Sequence, residues 1–262
     1  MARRDELTDE QWAIIEPLLP PPLIREDGKG RPRVHDDRSV MNGILWVLRT
    51  GTCWMDLPDR FPSGSTCYRR FSHWVKTGSL RQVLEALAQH LEESKNINLS
   101  ECFIDGTFVV TKKGGQVLGK TKRGKGTKLM VVADAAGLPL SVYTASASPH
   151  EVTLVEATLA EMFTVGQPRR IIGDRAYDSD PLDEKLSQMG IELIAPHRLG
   201  RIKPPTQDGR CLRRYKRRWK VERLIAWLTA FKKVHTRWEY NINHYNGFVY
   251  LACIMILFRR YL

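Results

Sequence analysis

Apolar positions recur every three to four residues through most of the first hundred positions, and after that they come in runs of strand length. The first helix is predicted from Thr8 or Asp9 to Leu19, with Thr8 as N-cap, Trp12, Ile15 and Leu19 on one face, and Pro20, Pro21 and Pro22 as its stop. The stretch LIREDGKGRPRVHDD then reads as loop. A second helix runs from Asp36 or Asp37 to Thr50, turns Val40, Met41, Ile44, Leu45, Val47 and Leu48 inward, and ends at Gly51. A third is predicted over Thr66 to Thr77 with Ser65 as cap; Tyr68, Phe71, Trp74 and Val75 face inward and leave Arg69, Arg70, His73 and Lys76 outside. Gly78 closes it, and Ser79 with Gln82 forms a capping box for a fourth helix, Leu80 to Leu91. Short helices joined by turns, one carrying a basic face, make a helix-turn-helix-like unit whose third helix would enter a major groove. The plainer alternative is a small bundle with a wetted basic face.

At Asn98 to Glu101 the helical period gives way to strands, which sets the expected domain boundary: residues 1–98 helical, residues 99–262 a second domain. CFIDGTFVV is an apolar strand with Asp105 at its middle. A glycine-rich basic loop follows, then two strands, KLMVVADAAG and LPLSVYTAS, and a helix from about Glu151 to Phe163. RRIIGDRAYDSD is the next strand, with Asp174 just past its apolar end; a helix from Asp183 to Met189 and the strand IELIAPH come after it. One long helix is expected from Arg213 to Lys233, with Val221, Leu224, Ile225, Leu228 and Phe231 facing a core and Glu222 at the edge of that stripe. Tyr215, Arg218 and Thr229 would share a longitudinal row with Glu222. A terminal helix spans about Tyr245 to Tyr261. This order argues for an α/β fold, a mixed sheet with helices on its faces. Neither a dinucleotide-binding G-x-G-x-x-G nor a G-x-x-x-x-G-K-[ST] phosphate loop occurs.

Charge changes the picture more than composition does. The net charge is +12, and residues 198–237 alone carry 14 Lys and Arg against the two acids Asp208 and Glu222. A second block, Lys112 to Lys128, holds seven cations and no acid; Lys122, Arg123 and Lys125 are its centre. Two such blocks beside apolar elements point to a polyanion, double-stranded DNA first among the candidates. The five cysteines are odd in number and lack a C-x-x-C pair, which argues against a disulfide framework or a cysteine-rich zinc site and fits a reducing cytosol. The N-terminus has no apolar signal core and no run reaches the length of a membrane span.

Three acids stand apart from their surroundings: Asp105 inside an apolar strand, Asp174 at a strand end, and Glu222 on a cationic helix. Each has an innocent reading, as a turn, a cap or an i,i−4 partner of Arg218. An Asp within FIDGTFVV nevertheless costs several kcal/mol in desolvation unless cations or donors satisfy it. Carboxylates converging from two strands and a helix would supply the hard oxygen ligands of Mg²⁺ or Mn²⁺, and a pair of such ions suits phosphodiester displacement. Asp178 and Asp180 are rivals to Asp174, which is preferred because it abuts the apolar run IIG. Asp134 reads as structural, His150 as an ordinary helix start, and Trp219 and Trp227 as packing residues.

The set IDGT (104–107), GDRAYDSD (173–180) and Y-x2-R-x3-E (Tyr215, Arg218, Glu222), with GTKLMVVADAAGLPL and ERLIAWL in support, resembles bacterial transposases of the insertion-sequence-5 family. These belong to the wider insertion-sequence-4-like group with a DDE catalytic domain, and the likeness covers essentially the whole chain. It implies an RNase H-like fold in which the strands bearing Asp105 and Asp174 are neighbours and Glu222 completes a metal-binding catalytic triad from a helix. It further implies metal-dependent cleavage at the terminal inverted repeats of an insertion sequence, followed by attack of the released 3′-OH on target DNA. Tyr215 and Arg218 match positions expected to contact DNA near the scissile phosphate. At least a homodimer would be needed to hold two ends, in a cytoplasmic, nucleoid-associated bacterial protein. The group's pattern has Lys seven residues after the Glu, where this chain has Thr229. A contrasting reading, a non-catalytic DNA-binding regulator or domesticated remnant, is disfavoured by all three acids being in place.

Overall fold

Thr8 accepts the Gln11 amide while the Gln11 side chain accepts the Thr8 amide, and this capping box opens α1 (Asp9–Ile15), which a 3-10 turn extends through Leu18. The computed structural model describes residues 6–21, 34–207 and 209–261. Most of the expected loop LIREDGKGRPRVHDD, residues 23–33, therefore lies outside the described residues. Asp36 accepts the Ser39 amide and starts α2 (Asp37–Thr50), which Gly51 closes in the left-handed region as the sequence predicts.

α3 (Gly64–Lys76) begins earlier than expected, because Ser63 rather than Ser65 caps it. Gly64 permits that start: a Cβ there would stand 1.7 Å from the Trp54 carbonyl oxygen. Tyr68, expected inside, is 42% exposed, its ring edge-on to Trp54 and His244. α4 (Ser79–Glu93) has no capping box. The Ser79 hydroxyl is already engaged with Thr77 Oγ1 at 2.7 Å, and Gly78, at φ +74°, makes the turn instead.

The sheet follows. β1 (Cys102–Thr111), β3 (Gly124–Ala133) and β4 (Pro139–Ser146) form an antiparallel meander, with the short β2 (Gly119–Thr121) folded onto β3 inside the basic loop. The predicted helix after β4 is only a 3-10 turn, Glu151–Leu154, running into α5 (Val155–Leu159). It stops because the chain returns to the sheet: Met162 bridges to Ser141, and the Phe163 amide donates to Leu140. β5 (Arg170–Ile172) and, beyond α6 (Asp180–Gln188), β6 (Glu192–Ile194) extend the sheet parallel to β1. The result is the mixed sheet with flanking helices that the element order implied.

The long helix expected over 213–233 is broken. α7 (Gly209–Leu212) leads into a 3-10 turn over Arg213–Arg217, then α8 (Trp219–Ala230) and the single turn α9 (Lys232–His235). Residues three apart eclipse in that 3-10 turn, which lines Tyr215 up with Arg218. β7 (Thr236–Arg237) pairs with the far end of β1, and α10 (Ile242–Tyr261) closes the fold. α10 packs on α4, α3 and α2 on one side and on β4 and α8 on another. Phe248 stacks 4.5 Å from Phe71, and Gly247 lets Val75 approach closely. The core is thus continuous from the first helices to the sheet across the expected boundary at residue 98.

Candidate active site

The register of the two parallel strands sets the site. Cys102 pairs with Ile171 and Phe103 with Ile172, so two residues further along each chain Asp105 and Asp174 stand level. β5 has ended by then, and β1 continues with that edge open. Asp105 is 15% exposed; its Oδ1 accepts the Gly106 amide at 2.9 Å. Asp174 caps the 3-10 turn Arg175–Tyr177, its Oδ1 accepting the Ala176 amide at 2.7 Å. Glu222 lies in the first turn of α8, which packs over β1 and β3.

One guanidinium joins the three acids. Arg218 Nη1 is 3.2 Å from Asp105 Oδ2 and 3.9 Å from Asp174 Oδ2, and its Nη2 is 2.7 Å from Glu222 Oε1. Burial pushes the Asp105 carboxyl up to about 6; Arg218 and the Gly106 amide oppose that rise, while Glu151 and Asp174 add to it. Burial would draw Arg218 down, but Asp105 and Glu222 outweigh it and hold the guanidinium above its usual value. Among the described residues no three acidic, His or Cys side chains close up to metal-ligand geometry. The donor set around Arg218 is all carboxylate oxygen, which suits a hard divalent cation, and the guanidinium marks where these acids together bind positive charge.

The rival acids are occupied elsewhere. Asp178 is buried and takes bonds from His197, the Arg198 amide and Arg201, while Asp180 pairs with Arg201 and Lys203. Burial would raise Asp178, but the Arg198 amide, His197 and Arg201 hold it below the usual carboxylate range. The two acids clamp the basic loop over 197–203 behind the Asp174 turn. Asp134 is structural, as read: it accepts the amides of Asn98, Ala136 and Leu138. Thr229 bonds back to the Ile225 carbonyl, Lys232 is exposed, and Lys233 is buried against Glu239.

The cationic candidates divide. Lys122, Arg123 and Lys125 sit exposed on the β2–β3 hairpin. Arg69 is exposed on α3, but Arg70, expected outside, turns inward to pair with Asp37 across the α2–α3 contact. Tyr215 is half-buried, its ring 5.9 Å from the Arg218 guanidinium. Trp227 is half-buried against the core and Trp219 is exposed; together they sandwich Arg223, whose guanidinium lies 4.7 Å from each ring.

A residue the sequence reading passed over also approaches. The Glu151 carboxylate lies against Gly106, where an added Cβ would be 2.8 Å from Glu151 Cδ. A glycine within a strand is the signal for such a close approach; His150, which the sequence reads as an ordinary helix start, is exposed.

A mixed sheet flanked by helices, with two acids level on neighbouring strands and a third on a covering helix, has an RNase H-like fold. The chain belongs to the DDE transposases: the family model "Transposase DDE domain" matches residues 98–257, and "Putative transposase of IS4/5 family" matches residues 7–84. It is 40% identical to the "Insertion element IS402 uncharacterized 16.2 kDa protein" of Burkholderia cepacia, over 44% of this chain and 80% of that one. It is 31% identical to the "Putative transposase for insertion sequence element IS6501" of Brucella ovis, over 51% of this chain and 98% of that one. The fold is similar to that of piggyBac transposase in a synaptic complex with hairpin DNA, at a TM-score of 0.54 and 13% identity, over 90% of this chain and 69% of that one. No helix among the described residues is long and apolar enough to cross a membrane.

Proposed function

We propose that this transposase cuts and joins DNA at the ends of an insertion sequence, with Asp105, Asp174 and Glu222 as the acids that hold its divalent cations. The observation that carries this reading is the meeting of three carboxylates, from β1, the end of β5 and α8, on the single guanidinium of Arg218. Mg²⁺ or Mn²⁺, bound as a pair, supplies activation of the attacking oxygen and stabilisation of the leaving one. The chain's own residues do the positioning. Asp105 is fixed by its strand and Asp174 by the turn it caps, so two ligands are set before any ion arrives. Arg218, with Tyr215 against it, is placed to meet the scissile phosphate beside those acids. Glu101 takes Arg214 Nε at 2.6 Å and Arg217 Nη2 at 2.7 Å, which fixes the 3-10 turn that carries Tyr215.

Duplex DNA would extend from the site over the β2–β3 hairpin, where Lys122, Arg123 and Lys125 contact phosphates. The helical region over 1–98, with Arg69 on its outer face, contributes contacts to the transposon end, and Arg70 holds α3 in place behind it. Two copies hold the two ends. The assay uses the DNA flanking the coding frame, with one end pre-cleaved to expose a 3′-OH. Joining of that end to a target duplex is the expected product; cutting without joining would leave only a nuclease. Replacing Lys122, Arg123 and Lys125 together by Ala should weaken binding across sequences and lower the slope of log affinity against log salt by about 2–3, one step per lost phosphate contact. An unchanged slope would take the hairpin off the DNA path.

A further inference from the structure

Glu151 has surroundings that a surface acid does not need. In the antiparallel register Gly106 pairs with Met130 and Phe108 with Lys128, whereas Asp105 pairs with Val131. Gly106, Met130 and Lys128 therefore share one face of the sheet, and Asp105 points to the other, where α8 and Arg218 lie. Glu151 comes up on the Gly106 face. A Cβ on Gly106 would stand 2.9 Å from Glu151 Oε1 and 2.8 Å from Met130 Sδ, so hydrogen at this position is what lets the carboxylate reach the strand.

The second oxygen ties Glu151 to the other aspartate. Tyr177 is fully buried, and its hydroxyl donates to Glu151 Oε2 at 3.2 Å. Tyr177 ends the same 3-10 turn that Asp174 caps, and its ring packs under Gly173. The Glu151 carboxylate thus stands between β1 at Gly106 and the turn that follows β5. That is the gap flanked by Asp105 and Asp174, approached from the opposite face.

Pairing with Lys128 does not account for the placement. Lys128 Nζ makes its short bond, 2.7 Å, to the Pro149 carbonyl and stands 3.6 Å from Glu151 Oε1. The carboxylate is three-quarters buried, its one ion pair is long, and its oxygens are turned to Gly106 and to the turn that Asp174 caps; a divalent cation there would give it a partner of full charge.

We propose that Glu151 is a fourth carboxylate of the divalent-cation site, entering from the face opposite Arg218 through the space that Gly106 leaves. The inference rests on Asp105 and Asp174 being cation ligands. The test is Mn²⁺ binding by the full chain, followed through the electron paramagnetic resonance signal of free Mn²⁺, with melting in EDTA as the folding control. Asp105→Asn and Asp174→Asn should lose tight binding. Glu151→Gln, which keeps the volume and can still accept from Tyr177, should bind Mn²⁺ roughly 10–100-fold more weakly while melting near the wild-type temperature in EDTA. Tyr177→Phe, which removes the hydroxyl and leaves the charge, should stay within about threefold of wild type. Wild-type affinity in Glu151→Gln beside loss in the Asp variants would confine Glu151 to a structural role and overturn the proposal. Unchanged binding in the Asp variants would instead bring down the triad, and this inference with it.

Discussion

Asp105→Asn should abolish strand cleavage, by at least about a thousandfold, and at the same time stabilise the cation-free protein. The activity half follows from Asp105 sharing the Arg218 guanidinium with Asp174 and Glu222, where an amide cannot help to neutralise a divalent ion. The stability half follows from the carboxyl's shift from 3.8 to about 6 on folding. The folded chain binds that proton more tightly than the unfolded chain, so the charged carboxylate disfavours folding above about pH 6. The penalty is relieved as pH falls from 6 towards 4. A shift of that size corresponds to up to about 3 kcal/mol. At pH 8 in EDTA the variant should therefore melt roughly 5–10 °C above wild type, and the gap should close by pH 4. Calorimetry at both values reads this directly. Asp174→Asn and Glu222→Gln should be as inactive as Asp105→Asn, with intact DNA binding; cleavage retained in any one of the three would remove it from the triad.

The largest loss of stability is expected at Arg237. Its side chain is fully buried and donates to Thr127 Oγ1 at 2.6 Å, the Glu239 carbonyl at 2.9 Å and the Tyr240 carbonyl at 3.1 Å. Burial lowers its pKa, yet with three acceptors in place the guanidinium stays the donor that holds the turn after β7. That turn in turn carries the basic loop: the Lys112 amide donates to the Arg237 carbonyl and the Gln116 amide to the Tyr240 carbonyl. Arg237→Ala takes the donor from the buried Thr127 Oγ1 and the Glu239 carbonyl, leaves the Tyr240 carbonyl with only the Gln116 amide, and opens a cavity, a cost of about 3–5 kcal/mol. The measurement is the urea midpoint at unchanged slope, accompanied by weaker DNA binding as the hairpin loses its support. A midpoint within error of wild type would mean that the 236–240 segment holds without it.

What could be read from the chain was set by local chemistry. Thr8 with Gln11, Asp36, and Gly51 act on their own neighbours, so α1 and α2 start, and α2 stops, as the pattern says. Asp105 was conspicuous because a charge within FIDGTFVV contradicts its strand, and such conflicts gather at functional sites. What escaped depends on residues distant in sequence. The Ser63 cap becomes available only because Gly64 fits beneath the Trp54 carbonyl, and Arg70 turns inward only because Asp37 lies opposite. The helix after β4 is cut short by a bridge to Ser141. Glu151 was invisible for the same reason: its meaning lies in Gly106 and Tyr177, both distant along the chain, one across a strand and the other beyond β5.

The position of α10 also governs the order of events at the ribosome. α2, α3 and α4 bury their apolar faces against α10, whose residues are made well after theirs. From the end of α4 at Glu93 to Tyr261 the chain needs about 10–30 seconds of synthesis. For that interval Phe71, Trp74 and the apolar face of α4 have no Phe248 or Ile254 to pack on, and the nascent chain presents a hydrophobic surface to chaperones. A substitution that slows or misplaces α10 would therefore lower the yield of folded enzyme before it altered any property of the finished molecule.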